Sequence, residues 1–309
     1  MFQTFAFLKS CVYRTFFFFK IYILITALTR THNKYTYTQS DFGFFNKDMA
    51  MLNHASFGAV PLQVQKVQRE YQDRWLRHAD SWYFGGKLEE GLLDAARDVG
   101  KHIGAKEEET CLLGNATDAT ITILHRWNRK YQESSSSSRS SVISLNFAYR
   151  ANKIALGYYI QPYADVIYTD VPFPYRSFDS SFFPTVLENL ERDLRKNRPR
   201  FALLEHIFSQ PAIRLPIEDM VKLCREYGVE EIAVDGAHGV GSIPDLDVSS
   251  IGAEFYYSNL HKWGIIRSSS SFSLSLSLTL SQTTQQQQQQ QQQQVSVLTP
   301  QLCCTHVRT

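Results

Sequence analysis

The sequence lacks the cysteine pattern of a disulfide-stabilised or zinc-binding protein. Its five cysteines are an odd number, no two of them form a CxxC pair, and Cys303 and Cys304 are adjacent in a polar tail. The nine histidines form no HExxH motif. Such a pattern indicates reduced thiols, which favours a cytoplasmic location. We expect no metal site.

An excess of charge of either sign is also absent. The 32 basic and 30 acidic residues nearly cancel, and 43% of the 309 residues are hydrophobic. A chain of this size and composition can bury a sizeable core. The charge balance gives no reason to expect a nucleic-acid or polyanionic partner. We therefore expect a globular protein with a small-molecule ligand.

No apolar run reaches the length of a membrane span. The run from Phe16 to Leu28 is interrupted by Lys20, whereas about 20 apolar residues are needed to cross the hydrocarbon of a bilayer. We interpret residues 1–48 as an N-terminal extension. The alternatives are a targeting or anchoring segment, which would make the protein membrane-associated or organelle-targeted, and a part of the fold.

Two segments have low complexity. A serine-rich run at residues 134–141 predicts a solvated surface insertion. A Ser/Leu alternation and an unbroken glutamine tract, Gln285–Gln294, characterise residues 265–309. The alternation has the period of a strand, but beside polyglutamine we interpret it as a low-complexity tail. The predicted globular domain is therefore residues 49–264.

Within this domain, helical and strand patterns alternate. Apolar residues recur at helical spacing in residues 64–83, 88–103 and 217–227, and short apolar runs occupy residues 142–147, 166–168, 201–207 and 232–234. Strand, helix and strand in succession indicate a βαβ unit, which predicts an α/β fold with a largely parallel sheet.

Asp235 follows one of these apolar strands and precedes a glycine turn that contains His238. In open α/β sheets, ligands bind beyond the carboxyl ends of the strands, where both side chains would lie. A carboxylate at the end of a buried strand needs a cation or a donor beside it. The alternative is a solvent-exposed acid in a turn.

Lys262 ends a further apolar run, after His261 and before Trp263. A lysine that forms a Schiff base needs a fixed position and a lowered pKa, which a desolvated pocket provides. The alternative is a surface lysine that packs on tryptophan.

Residues 113–120 combine a glycine with small and hydroxylated side chains before a predicted helix. Backbone N–H groups at a helix N-terminus bind anions such as phosphate. The alternative is that Asn115 or Thr117 is only a helix cap.

Together these segments resemble the class V aminotransferase superfamily of fold-type I pyridoxal-phosphate enzymes, and most closely its isopenicillin N epimerase-like and cysteine desulfhydrase-like branch. The pairing of Asp-Gly-Ala-His with Asn-Leu-His-Lys-Trp is the most specific part of the resemblance. The matching segments are Leu52–Gly58, Gly114–Thr117, Pro211–Ile217, Asp235–His238 and Asn259–Trp263.

The resemblance implies pyridoxal 5'-phosphate as the cofactor and assigns roles to individual residues. Lys262 would bind it covalently, Asp235 would pair with its ring nitrogen, and His238 would contact its ring hydroxyl. The phosphate would be held by the following residues: Asn115, Ala116, Asn259 and His261. Phe147 or Tyr149 would stack on the ring, and Asn53 and His54 would face the substrate.

Nothing after Trp263 resembles the remainder of that superfamily, so we expect the small C-terminal domain to be missing. The implied function is that of a lyase, epimerase or aminotransferase that acts on a small amino acid such as L-cysteine, in a homodimer. One alternative is an inactive, truncated relative that binds only the cofactor or a paralogue. Another is a membrane-tethered interaction protein.

Overall fold

The computed structural model describes residues 39–43, 48, 53–133, 140–173, 181–263 and 275–279. The apolar run at residues 16–28 and the glutamine tract lie outside the described residues, as does most of the serine run. The helices are α1 (Leu62–Arg77), α2 (Ala79–Tyr83), α3 (Lys87–His102), α4 (Ala116–Glu133), α5 (Arg150–Tyr159), α6 (Phe182–Asn197) and α7 (Ile217–Glu226). The strands are β1 (Thr110–Leu113), β2 (Ser141–Leu145), β3 (Asp165–Thr169), β4 (Phe201–Glu205), β5 (Glu231–Asp235), β6 (Phe255–Asn259) and β7 (Ser275–Thr279).

The strands form one seven-stranded sheet in the order β1-β7-β6-β5-β4-β2-β3. The neighbouring pairs from β6 to β3 are all parallel, whereas β7 is antiparallel to both β6 and β1. This mostly parallel sheet confirms the predicted α/β fold. Our interpretation of residues 265–309 as a tail outside the fold is wrong for residues 275–279, which form β7. The Ser/Leu alternation there has the period of two that is typical of a strand.

Both faces of the sheet are buried, and consecutive residues of a strand face opposite sides. In β4, Phe201 and Leu203 pack in one cluster, which includes apolar residues of α4 and α5. Ala202 and Leu204 pack in the other, which includes apolar residues of α3, α6 and α7. Burial on both faces explains why β2, β4 and β5 were visible in the sequence as short, nearly continuous apolar runs.

The helix predicted for residues 64–83 is divided into α1 and α2 at His78. Its φ angle of −157° is outside the helical region, and its Nδ1 atom accepts a hydrogen bond of 3.1 Å from the backbone N–H of Ser81. The imidazole thus caps the start of α2, a local contact that hydrophobic periodicity does not reveal. None of the described helices is long and apolar enough to cross a membrane.

Candidate functional site

A cleft opens at the carboxyl ends of β4, β5 and β6, with about 400 Å³ of empty space that includes open solvent. The cleft is lined by the following residues: Ala116, Thr117, Tyr149, Asn152, Glu205, Ile207, Ser209, Asp235, Ala237, His238, Asn259 and Lys262. The parallel strands thus bring together side chains that lie far apart in the sequence.

Asp235 is the last residue of β5, and its side chain is buried. Its Oδ2 accepts a hydrogen bond of 2.6 Å from Asn152 Nδ2, and its Oδ1 accepts one of 2.9 Å from the backbone N–H of Ala237. Burial raises the pKa of the carboxyl group, while these donors and the charge of Lys262 oppose the rise. The site therefore contains a buried carboxylate that a cationic ligand group would stabilise.

Lys262 also lines the cleft, and its Nζ is 3.1 Å from His238 Nε2. The indole Nε1 of Trp263 is 3.4 Å from His238 Nδ1. Because an indole N–H can only donate, Nδ1 is the acceptor in that contact, whereas the donor between Nε2 and Nζ depends on the tautomer of the ring. Burial lowers the pKa of Lys262, although the charge of Asp235 opposes the change.

The N-terminus of α4 forms one side of the cleft. The backbone N–H of Ala116 donates a hydrogen bond of 3.0 Å to Asn259 Oδ1, which fixes the end of β6 against this helix. The side chain of Asn115 caps the helix, since its Oδ1 accepts a hydrogen bond of 2.9 Å from the N–H of Asp118. Ala116 and Thr117, rather than Asn115, are the lining residues here.

The structure separates the two aromatic candidates. The ring of Tyr149 lies in the cleft, with Lys262 Nζ 5.9 Å from its centroid. Phe147 instead packs against Phe173 and Phe208, at centroid distances of 5.4 and 6.0 Å. Tyr149 is therefore placed to contact a ring bound in the cleft, and Phe147 belongs to the core beneath it.

Residues 53–60 cross over residues 259–263, which we call the lysine segment because it contains Lys262. The backbone N–H of Gly58 donates a hydrogen bond of 2.7 Å to the carbonyl of His261. Asn53 and His54 contact their own segment, through Ser56 Oγ and the N–H of Ala59 respectively. Neither Asn53, His54 nor His261 lines the cleft. His261 is buried, and among the described residues its Nδ1 has no hydrogen-bond partner.

Sequence reasoning missed a buried polar network behind Asp235. Asn152 donates to Asp235 and, over 3.1 Å, to Glu205 Oε1. The Oδ1 of Asn152 is 3.0 Å from Thr120 Oγ1, which in turn is 2.9 Å from the hydroxyl of Tyr257. The available signal was Glu205, an acid at the end of an apolar run like Asp235, but the predicted strand continued past it to residue 207.

A comparison with protein-family models gave no match. The sequence is 35% identical to an L-cysteine desulfhydrase of Arabidopsis thaliana over 236 residues, which cover 75% of this chain and 51% of that protein. It is 29% identical to a hercynylcysteine sulfoxide lyase of Schizosaccharomyces pombe over 55% of this chain and 40% of that protein. The chain spans about half the length of these curated relatives.

Solved structures share the fold at low sequence identity. A mutant of C-DES with glycine covalently linked to its PLP cofactor has a TM-score of 0.64 and 16% identity, and the match covers 79% of this chain and 60% of that one. The apo cysteine desulfurase of Thermococcus onnurineus NA1 has a TM-score of 0.54 and 12% identity, over 74% of this chain and 52% of that one. The chain therefore belongs to the class V aminotransferase superfamily of fold-type I pyridoxal-phosphate enzymes, in the branch that contains the L-cysteine desulfhydrases.

Proposed function

We propose that this protein binds pyridoxal phosphate through Lys262 and acts as a lyase that releases sulfide from L-cysteine. The observation that carries the proposal is the presence of a half-buried amine of lowered pKa and the buried carboxylate of Asp235 in one cleft. The names of the relatives support cysteine as the substrate.

The residues of the cleft fit the cofactor. Asp235 is a buried acid whose charge favours a protonated ring nitrogen beside it. The start of α4, with Thr117 in the cleft wall, offers the positive end of a helix dipole to a phosphate group. Tyr149 provides an aromatic face beside Lys262. Asn259 would support the phosphate site through its bond to Ala116.

When bound, pyridoxal phosphate withdraws electrons from the α-carbon of an amino acid that is attached to it. The Nζ of Lys262 would be the base that takes the α-proton, because burial favours its neutral form. His238 Nε2, at 3.1 Å, would orient that amine. Asp235 would hold the proton on the ring nitrogen. The overall reaction converts L-cysteine and water to sulfide, pyruvate and ammonia.

The first experiment is an absorption spectrum of the purified full chain with added pyridoxal phosphate, before and after borohydride. We expect a band that borohydride abolishes, together with cofactor mass fixed on Lys262. The variant Lys262→Ala should lack both, whereas the control variant Lys222→Ala, which changes an exposed lysine of α7, should behave as the wild type. A folded wild type without the band would refute the proposal.

Turnover is tested separately by adding L-cysteine to the loaded protein and measuring sulfide and pyruvate. Equal yields of the two products would support the lyase reaction. A trapped cofactor without either product would instead favour an inactive relative that only binds it. Racemised cysteine or a keto acid that retains its sulfur would favour the epimerase or the aminotransferase reaction.

A further inference from the structure

Glu205 is an acid at the base of the cleft that the proposed reaction does not use. It ends β4 and is the register partner of Asp235 in β5. Only 3% of its surface is exposed. Its Oε1 accepts hydrogen bonds from the backbone N–H of Tyr149, at 2.7 Å, and from Asn152 Nδ2, at 3.1 Å. Its Oε2 is buried and has no hydrogen-bond partner among the described residues.

The two carboxyl groups lie close enough to share one amide nitrogen. Asn152 Nδ2 is within hydrogen-bond distance of both Glu205 Oε1 and Asp235 Oδ2. The amide is oriented by Thr120, whose hydroxyl is 3.0 Å from Asn152 Oδ1. Two negative charges this close in a desolvated site repel each other, so that one of the two acids keeps its proton.

The hydrogen bonds decide which acid is neutral. Asp235 receives an N–H donor on each oxygen and faces Lys262, so its ionised form is the better stabilised. Glu205 receives donors on one oxygen only. Burial, and then the charge of Asp235, raise the pKa of Glu205 to about 8. Other titratable groups also interact electrostatically with Glu205. They are Lys153 on α5, Tyr168 on β3 and Tyr257 on β6.

We propose that Glu205 is a positioning residue for Asp235: it remains a neutral carboxylic acid, so that Asp235 carries the single negative charge at the base of the cleft. The inference rests on the proposed cofactor site, and it specifies how that site keeps one charge opposite the ring nitrogen. Ionisation of Glu205 would add a second negative charge there.

The proton on Glu205 can be measured in the apoprotein by infrared spectroscopy. At pH 7 we expect a band of a protonated carboxyl group that disappears with a midpoint near pH 8 and is absent in Glu205→Gln. The matched control is Glu231→Gln, because Glu231 is also buried in the sheet but is paired with Arg126 and Lys130. Those contacts lower the pKa of Glu231 although burial opposes them, so this variant should retain the band. A band unaffected by Glu205→Gln would overturn the proposal.

The action through Asp235 is tested on the loaded protein. A titration of the cofactor absorption band between pH 6 and 10 should contain an inflection that Glu205→Gln removes, while Glu231→Gln retains it. At pH 7 the Gln variant should bind pyridoxal phosphate within about threefold of the wild type, because the amide is neutral like the acid it replaces. If Glu205→Gln removes the infrared band but leaves the titration of the cofactor absorption band unchanged, Glu205 has a purely structural role and does not act through Asp235. Failure of the wild type to bind the cofactor, with the infrared band present, would refute the proposed function and leave the protonation of Glu205 established.

Discussion

Neutral imidazoles are a property of this site that can be tested at the level of single residues. Burial, followed by the charge of Lys262, lowers the pKa of both His238 and His261 to about 4. In the unfolded chain both rings titrate near pH 6.5. Between pH 4 and pH 6.5, protons therefore bind more readily to the unfolded chain than to the folded chain. The free energy of unfolding that these neutral rings contribute above pH 6.5 is lost as the pH falls toward 4.

We predict that the free energy of unfolding falls from pH 7 to pH 4.5, and that His238→Gln reduces this fall. The measurement is urea denaturation of the apoprotein at several pH values in this range. The control variant is His102→Gln, which replaces an exposed ring at the end of α3 and should leave the slope unchanged. The same slope in wild type and His238→Gln would contradict the predicted burial of a neutral ring.

The sequence was informative about residues that follow apolar runs and uninformative about those inside them. Asp235 and Lys262 could be predicted because each ends such a run, and the structure places both in the cleft. Their proposed chemical roles remain predictions. Asn152 could not be found, because a polar residue within an amphipathic helix has the same pattern whether it faces a buried acid or the solvent.

At the level of elements, the crossing of residues 53–60 over the lysine segment depends on Gly58. A Cβ atom at this position would lie 2.0 Å from the carbonyl oxygen of Lys262 and 2.7 Å from that of His261. Both are backbone atoms, which cannot move aside as the end of a side chain can. The lack of a side chain therefore permits the hydrogen bond between Gly58 and His261.

We predict that Gly58→Ala destabilises the protein by about 1–3 kcal/mol, the usual cost of overpacking. Urea denaturation would measure the loss, and limited proteolysis should show faster cleavage within residues 53–60. Gly157→Ala is the matched control, because its nearest neighbour is Gln161 Oε1 at 3.6 Å. Gly157 is in α5, where alanine stabilises by about 0.5–1 kcal/mol. Equal stability of the two variants would show that the segment does not make this close contact.

The predicted elements agree best with the structure in the centre of the sheet. The strands β2, β4 and β5 are buried on both faces and produce apolar runs that have few other interpretations. The helix α6 was not predicted, although its buried residues are spaced as on one helical face. The strand β7 was not predicted, because we gave more weight to the low-complexity composition of residues 265–309 than to their Ser/Leu alternation.

For the whole molecule, binding of the cofactor should stabilise the folded state. A ligand that binds only the folded chain adds about 2.7 kcal/mol at a free concentration 100-fold above its Kd. We predict that pyridoxal phosphate raises the Tm of the wild type and of Lys222→Ala but has little effect on Lys262→Ala. Thermal denaturation with and without the cofactor would measure this difference. An equal rise in all three proteins would mean that the cofactor binds elsewhere.

The position of β7 has a consequence for the order of folding. This strand separates β1 from β6, so that the sheet becomes continuous only when residues 275–279 have paired with a strand that was synthesised more than 150 residues earlier. Contacts of such long sequence separation form slowly, since a large loop must close first. During synthesis, β2 to β5 can assemble as soon as they emerge, whereas β1 has no paired neighbour until β7 has been synthesised. The sheet is thus completed late, and its last part to form is the edge at β1. The helix α4, which flanks the cleft, begins directly after this strand.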